Sequence, residues 1–170
     1  MPTKIGGLPA HILFVHAVVV LVPLAALMTI ASAVWPRARQ RLGIATPIVA
    51  LVALVLVPVT THAGEWLRDH VQGDQLVNRH AELGDQLLPF AIGTFVLAVL
   101  VWWLGLHGPG QASRLAQRIL IVPTSWLRPA TVVSAVLAIV VSVGTIVWVY
   151  RIGESGSKAV WHDQVSAQVR

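Results

Sequence analysis

Cysteine is absent from all 170 residues, and charge is scarce, with Asp, Glu, Lys and Arg making up 11% of the chain. The first absence excludes disulfides, thiolate metal sites and covalently attached haem, so redox chemistry here requires a bound cofactor. The second excludes an ordinary water-soluble enzyme, because such a domain uses roughly a quarter of its residues as charge to cover its surface. No glycine-rich phosphate loop, nucleophile elbow or His-Glu-x-x-His zinc motif is present. Internal repeats and low-complexity tails are also missing.

What the chain has instead is apolar mass: 56% of its residues are hydrophobic, and its mean hydropathy is +0.75. That mass falls in four blocks, Ile12 to Val34, Leu42 to Ala63, Gln86 to Leu106 and Pro129 to Tyr150. Each exceeds the roughly 20 residues that an α-helix needs to cross ~30 Å of hydrocarbon. The pattern predicts an all-α, polytopic membrane protein built as one domain over 1–170, a four-transmembrane-helix bundle in a lipid bilayer. Its helices are expected over 10–34, 42–66, 79–106 and 129–151. Pro9 suits a first helical turn, and Pro58 predicts a kink. Between the last two spans, Arg114 and Arg118 lie four apart beside Leu115, Ile119 and Val122, which predicts a short interfacial helix over 112–122. No carboxylate falls inside the four apolar blocks, which argues against a proton-coupled transporter.

Charge placement orients the chain. Arg37, Arg39, Arg41, Arg114, Arg118 and Arg128 cluster without any acid in the connections after the first and third spans. Lys4, Arg68, Arg79, Arg151, Lys158 and Arg170 share the other side with all seven acids. Basic counts tie, but the tight clustering of the first set favours that side as cytoplasmic and both termini as extracytoplasmic. Trp35, Trp102, Trp103 and Trp126 then mark one interface, and Trp66, Trp148 and Trp161 the other. Ala31-Ser32-Ala33 resembles a signal-peptidase site, but the long apolar stretch and the arginines after it favour a retained helix. The pI of 11.1 is explained by these topological arginines, so no nucleic-acid partner is expected.

The seven histidines are the chemically informative residues. His11, His16, His62, His70, His80 and His162 fall toward the extracytoplasmic side with the acids, and His107 falls on the other. Imidazole is both a common metal ligand and the usual haem ligand of helical bundles. His16 lies about 7.5 Å deeper than His11 at 1.5 Å per residue, a depth at which an ionisable group usually faces the bundle interior or a partner. The two differ by about 140° around a helix, so they do not share one face. The plainer alternative for His16 is a hydrogen bond to a backbone carbonyl or a neighbouring helix. His62 and Glu65 are three apart and share a face. A His-x-x-Glu pair occurs in bundle metal sites, although solvated residues at a helix end give the same spacing. His80 precedes the third block, with Asn78 as a candidate N-cap that points it toward the bundle mouth. Arg79 and Arg151 lie at that mouth and suit anionic groups such as haem propionates, with an Arg79–Glu82 pair as the alternative.

These residues resemble a family of small bacterial four-helix membrane proteins grouped as a domain of unknown function. Members open the first helix with a His-Pro-x-x-Val-His-Phe-Pro pattern, carry a histidine before the third helix and end the fourth in a glycine-rich tail. His11 to His16 is similar to the opening, His80 to the later histidine, and the run from Tyr150 through Gly153 and Gly156 to Trp161 to the tail. Ile12, Ala17 and Val18 replace the family's proline, phenylalanine and proline, and Glu154 stands where related tails often carry histidine. The resemblance implies a bacterial plasma (inner) membrane. Fusion of some relatives to Rieske-type or cytochrome-type domains implies electron transfer by analogy.

Three readings of function follow. The first is a redox membrane protein that binds a b-type haem near the extracytoplasmic mouth. Its ligands would be His16 and His80, with His11 and His62 in reserve, and it would pass electrons to a quinone or a periplasmic partner. The second is a copper or zinc protein that uses His16, His62, Glu65 and His80. The third is a non-catalytic accessory subunit of a larger respiratory complex, in which the histidines are structural.

Overall fold

The computed structural model describes residues 4–5, 8–68, 75–106 and 124–168. A minimal antiparallel hairpin, β1 (Lys4–Ile5) against β2 (Leu8–Pro9), leads into α1 (Ala10–Val34). After it come α2 (Pro36–Leu42), α3 (Ala45–Arg68), α4 (Gln75–Asp85), α5 (Leu87–Leu106) and α6 (Thr124–Gln168). Helices α1 and α3, the α4–α5 pair and α6 supply four segments long and apolar enough to cross a membrane. They form a four-membered ring in which α1 packs on α3, α3 on α5, α5 on α6 and α6 back on α1.

The interior is made of small residues. Val18, Val22, Ala25, Ala50, Ala53 and Val57 bring α1 and α3 together, and Ala91, Ala98 and Val149 extend the same cluster through α5 and α6. Larger aliphatics such as Leu13, Leu27, Ile48, Leu51, Ile92 and Leu137 point outward and are exposed. A water-soluble bundle would invert this arrangement. It suits helices that meet through close backbone approach while their bulky side chains face lipid. Two hydroxyl pairs join helices in the interior among the described residues: Ser32 Oγ with Thr46 Oγ1 at 3.2 Å, and Thr94 Oγ1 with Thr145 Oγ1 at 3.0 Å. Thr29 and Thr60 instead donate to the carbonyls of Ala25 and Leu56, one turn back on their own helices.

Three helix boundaries differ from the sequence expectation, each for a local reason. The expected second span over 42–66 begins later, because Pro36–Leu42 forms a separate helix. Gly43 ends that helix at φ +47°, a positive-φ conformation that glycine adopts without steric cost, and its N–H bonds the Arg39 carbonyl. The expected third helix over 79–106 is two helices that meet at Gln86. Pro89 has no N–H to bond the Asp85 carbonyl, and its ring crowds that carbonyl, so the ladder breaks there. The fourth helix does not end near 151. It continues to Gln168, about 68 Å in all at 1.5 Å per residue. The change to polar residues after Tyr150 therefore marks where the sequence leaves the apolar stretch, and the helix itself runs on. The interfacial helix expected over 112–122 lies outside the described residues.

At the end of the bundle away from the hairpin, Arg39 ties α1 to α2. Its Nε donates to the Ser32 carbonyl at 2.7 Å and its Nη2 to the Ala33 carbonyl at 2.9 Å, closing two of the carbonyls that a helix C-terminus leaves open. Burial lowers the pKa of this guanidinium below its ordinary value. Its methylenes run so close over Gly105 that a Cβ there would lie 2.5 Å from Arg39 Cδ. Arg39→Ala is expected to cost roughly 2–4 kcal/mol: it removes two hydrogen bonds from a charged group, worth about 1.5–3 kcal/mol each when buried and less at this half-buried position. Gly105→Leu should reproduce much of that loss, and Arg37→Ala, at an exposed position, should be near neutral. Thermal unfolding in detergent checks all three.

Candidate functional site

At the hairpin end the four segments part around a cavity of about 470 Å³. Val15, Val18, Val57, Leu87, Val149 and Ile152 make its walls apolar, while Glu65, Arg68 and Asp85 stand among its lining residues. Two imidazoles enter it from different helices, His11 from the first turn of α1 and His80 from the middle of α4. They are near enough for a charge on one to act on the other.

Each ring is fixed by the same two devices. His11 Nδ1 lies 3.0 Å from the Thr60 carbonyl. A carbonyl only accepts, so Nδ1 carries the proton and, in the neutral ring, Nε2 keeps its lone pair. His80 Nδ1 lies 3.0 Å from Ser155 Oγ, and that hydroxyl donates its hydrogen to the Ile152 carbonyl at 2.8 Å. With its hydrogen used, Ser155 Oγ accepts from Nδ1, and His80 adopts the same tautomer. The second device is a missing side chain beneath each ring. A Cβ on Gly64 would stand 3.0 Å from His11 Cε1, and one on Gly156 would stand 3.0 Å from His80 Cε1. The two glycines let the rings lie against α3 and α6 at backbone distance.

Helix α4 itself is anchored through Trp148. The indole Nε1 donates to the Leu83 carbonyl at 3.1 Å, near the end of α4 where carbonyls lack helical partners. The same ring stacks on Phe90, with centroids 5.3 Å apart, and carries the Arg151 guanidinium 5.7 Å above it. His80 is thus positioned by α6 through Trp148, Ser155 and Gly156 together.

Apart from Glu65, which lines the cavity, the other sequence candidates lie elsewhere. His16 is exposed on α1 and is not among the residues lining the cavity, so the pair assembled is His11 with His80 rather than His16 with His80. The helical rotation between positions 11 and 16 accounts for this: once His11 faces the cavity, His16 is carried to another face. His62 and Glu65 make an i,i+3 contact, Nδ1 to Oε2 at 3.8 Å, but the His62 side chain is 80% exposed. The set His16, His62, Glu65 and His80 is therefore not gathered, and no group of three or more His, Cys, Asp or Glu is placed to hold a metal ion among the described residues. Arg79 and Arg151 line a neighbouring groove instead of the cavity. His70, His107 and the side chain of His162 lie outside the described residues. Sequence reasoning passed over Thr60 and Gly64, and it met Ser155 and Gly156 only within the glycine-rich tail. Their common signal is a glycine or a small hydroxyl residue inside a helix at the level of the histidines.

Fold and cavity together define a multi-pass helical membrane protein with a paired-imidazole chamber at one end of its bundle. The family model described as "Predicted membrane protein (DUF2231)" matches residues 7–169, and the chain belongs to that family. No curated protein and no solved structure matches it.

The tautomers are directly measurable. Nitrogen NMR of histidine-labelled protein is expected to show Nδ1–H, Nε2-unprotonated rings for His11 and His80. Ser155→Ala should shift the Nδ1 resonance of His80 alone. A change in both rings, or in neither, would contradict the hydrogen-bond assignment.

Proposed function

We propose that this protein binds a b-type haem between His11 and His80 and serves in membrane electron transfer. The observation that carries the reading is the pair of imidazoles entering one apolar cavity from two helices, each with Nδ1 held by a hydrogen bond and Nε2 left as the lone-pair nitrogen. This is how ligating histidines are usually prepared, since a bond at the second nitrogen sets ring orientation and basicity. Two protein ligands suit a group that brings its own equatorial donors, whereas a bare zinc ion takes about four ligands, at least three of them from the protein. The cavity falls within the roughly 300–1,000 Å³ of small-molecule and cofactor sites.

In this reading the residues divide the work simply. His11 and His80 would hold the iron; Thr60 and Ser155 would orient them, and Gly64 and Gly156 would make room. Val15, Val18, Val57 and Val149 would keep water from the group, and Arg68, also in the lining, would supply a positive charge for its carboxylates. Bound there, the iron would supply one-electron chemistry whose potential follows from burial and from the hydrogen bonds at the two imidazoles. The setting we propose is a bacterial plasma membrane with the cavity and both termini on the outer side. A quinone or a periplasmic protein, alone or within a larger respiratory complex, would then be the electron partner.

Purified protein supplemented with haem should show a Soret band and, on reduction, an α-band. His11→Ala and His80→Ala should each abolish the low-spin spectrum, while His16→Ala and His62→Ala should retain it. Elemental analysis on the same samples separates the alternatives: stoichiometric copper or zinc without a chromophore would replace haem by a metal ion. Neither haem nor metal would leave the histidines as packing elements of a structural subunit.

A further inference from the structure

Beside the cavity, and separated from it by α4 and the Ser155 turn of α6, lies a second concavity of about 370 Å³. Its floor is apolar, with Leu76 and Leu83 from α4. Its charged lining is unbalanced: Arg79, Arg151 and Lys158 stand against the single carboxylate of Glu154. That carboxylate is already engaged, since Lys158 Nζ lies 2.7 Å from its Oε1. Arg79 and Arg151, from different helices, both lie near enough to act on the same carboxylate, and among the described residues neither is held in an ion pair. The groove therefore presents two guanidinium groups that its own acid does not neutralise.

Its depth is informative. Both walls belong to membrane-crossing segments, Gln75–Leu106 and Trp126–Ala159. Trp148 lies just inside Arg151, which rests over its indole. A tryptophan beside an outward-reaching arginine is the signature of the headgroup layer, where the ring stays in the apolar boundary and the charge reaches polar surroundings. Guanidinium forks match the geometry of phosphate oxygens, and an apolar floor beneath them suits the first carbons of a glycerolipid.

We propose that the Arg79–Arg151 groove is a binding site for the phosphodiester headgroup of an anionic membrane lipid. The two guanidinium groups hold the phosphate oxygens, Leu76 and Leu83 lie under the glycerol and proximal acyl carbons, and the Glu154–Lys158 pair closes one side. Ser155 lines this groove and also holds His80 Nδ1, so the lipid sits one side chain away from the cavity. The proposal stands independently of haem and is tested on cofactor-free protein.

The experiment is native mass spectrometry of the full chain released from mixed micelles of phosphatidylglycerol and phosphatidylcholine, with thermal stability followed in the same mixtures. The wild-type protein is expected to retain phosphatidylglycerol over phosphatidylcholine by about tenfold or more, given roughly 1 kcal/mol for each basic residue near an anionic lipid surface. The double variant Arg79→Gln with Arg151→Gln, at exposed positions, should lose that preference while unfolding at the same temperature in phosphatidylcholine. Glu154→Gln should strengthen it. Equal retention of both lipids by the wild-type chain, or an unchanged preference in the double variant, would overturn the site. Displacement of the lipid by millimolar inorganic phosphate would overturn the headgroup assignment in favour of a soluble phosphate ligand.

Discussion

Inside a bilayer a polar group has no water to fall back on, so each one must find its partner within the protein. The bundle's interior is organised around that constraint. Thr29 and Thr60 return their hydroxyls to carbonyls of their own helices. Thr145 donates to the Val141 carbonyl of its own helix and accepts from Thr94 across α5 and α6, and Arg39 spends two donors on the open carbonyls of α1. Among the described residues, Ser142 Oγ is the one buried side-chain atom left without a partner. The two cavity histidines obey the same constraint with a different result. Each satisfies one nitrogen on a neighbouring helix, so the rule that stabilises the interior also fixes the orientation of the two rings.

Close approach is the second requirement, and glycine and alanine meet it. Gly105 admits the Arg39 stem, Gly64 admits His11 and Gly156 admits His80. Van der Waals packing between helices replaces the hydrophobic drive that lipid removes, so these missing side chains determine how near two helices come. At the mouth they also set how deeply an imidazole sits. The same substitution at Gly64 or Gly156 would act on packing and on site geometry together.

The membrane architecture was legible because it is written in composition and run length: four apolar blocks with little charge between them leave few other folds. The site was only partly legible. Sequence depth suggested His16, because a histidine inside an apolar run is costly and attracts a functional reading. The side of α1 that meets α3 is a packing property, which periodicity in a helix apolar all round does not reveal. His80 was visible from its place before the third block, whereas the Gly156 and Ser155 beneath it looked like the glycine-rich end of a helix. The break at Gln86 follows from Pro89 in retrospect, but Pro9 and Pro47 near other helix starts gave no comparable warning. The polar run after Tyr150 concealed the length of α6, since leaving the hydrocarbon and ending the helix produce the same change of composition.

That length makes α6 a torsion shaft. Thr145, which meets Thr94 in the interior, and Gly156, which seats His80, are separated by about three turns and fall within about 20° of one another around the axis. No break in the helix is recorded between them, although Gly144, Gly153 and Gly156 all lie along α6. Thr145 and Gly156 therefore stand on nearly one face of a continuous helix, so the rotation of α6 that brings Thr145 to Thr94 also turns Gly156 to the imidazole of His80. One helix sets both contacts.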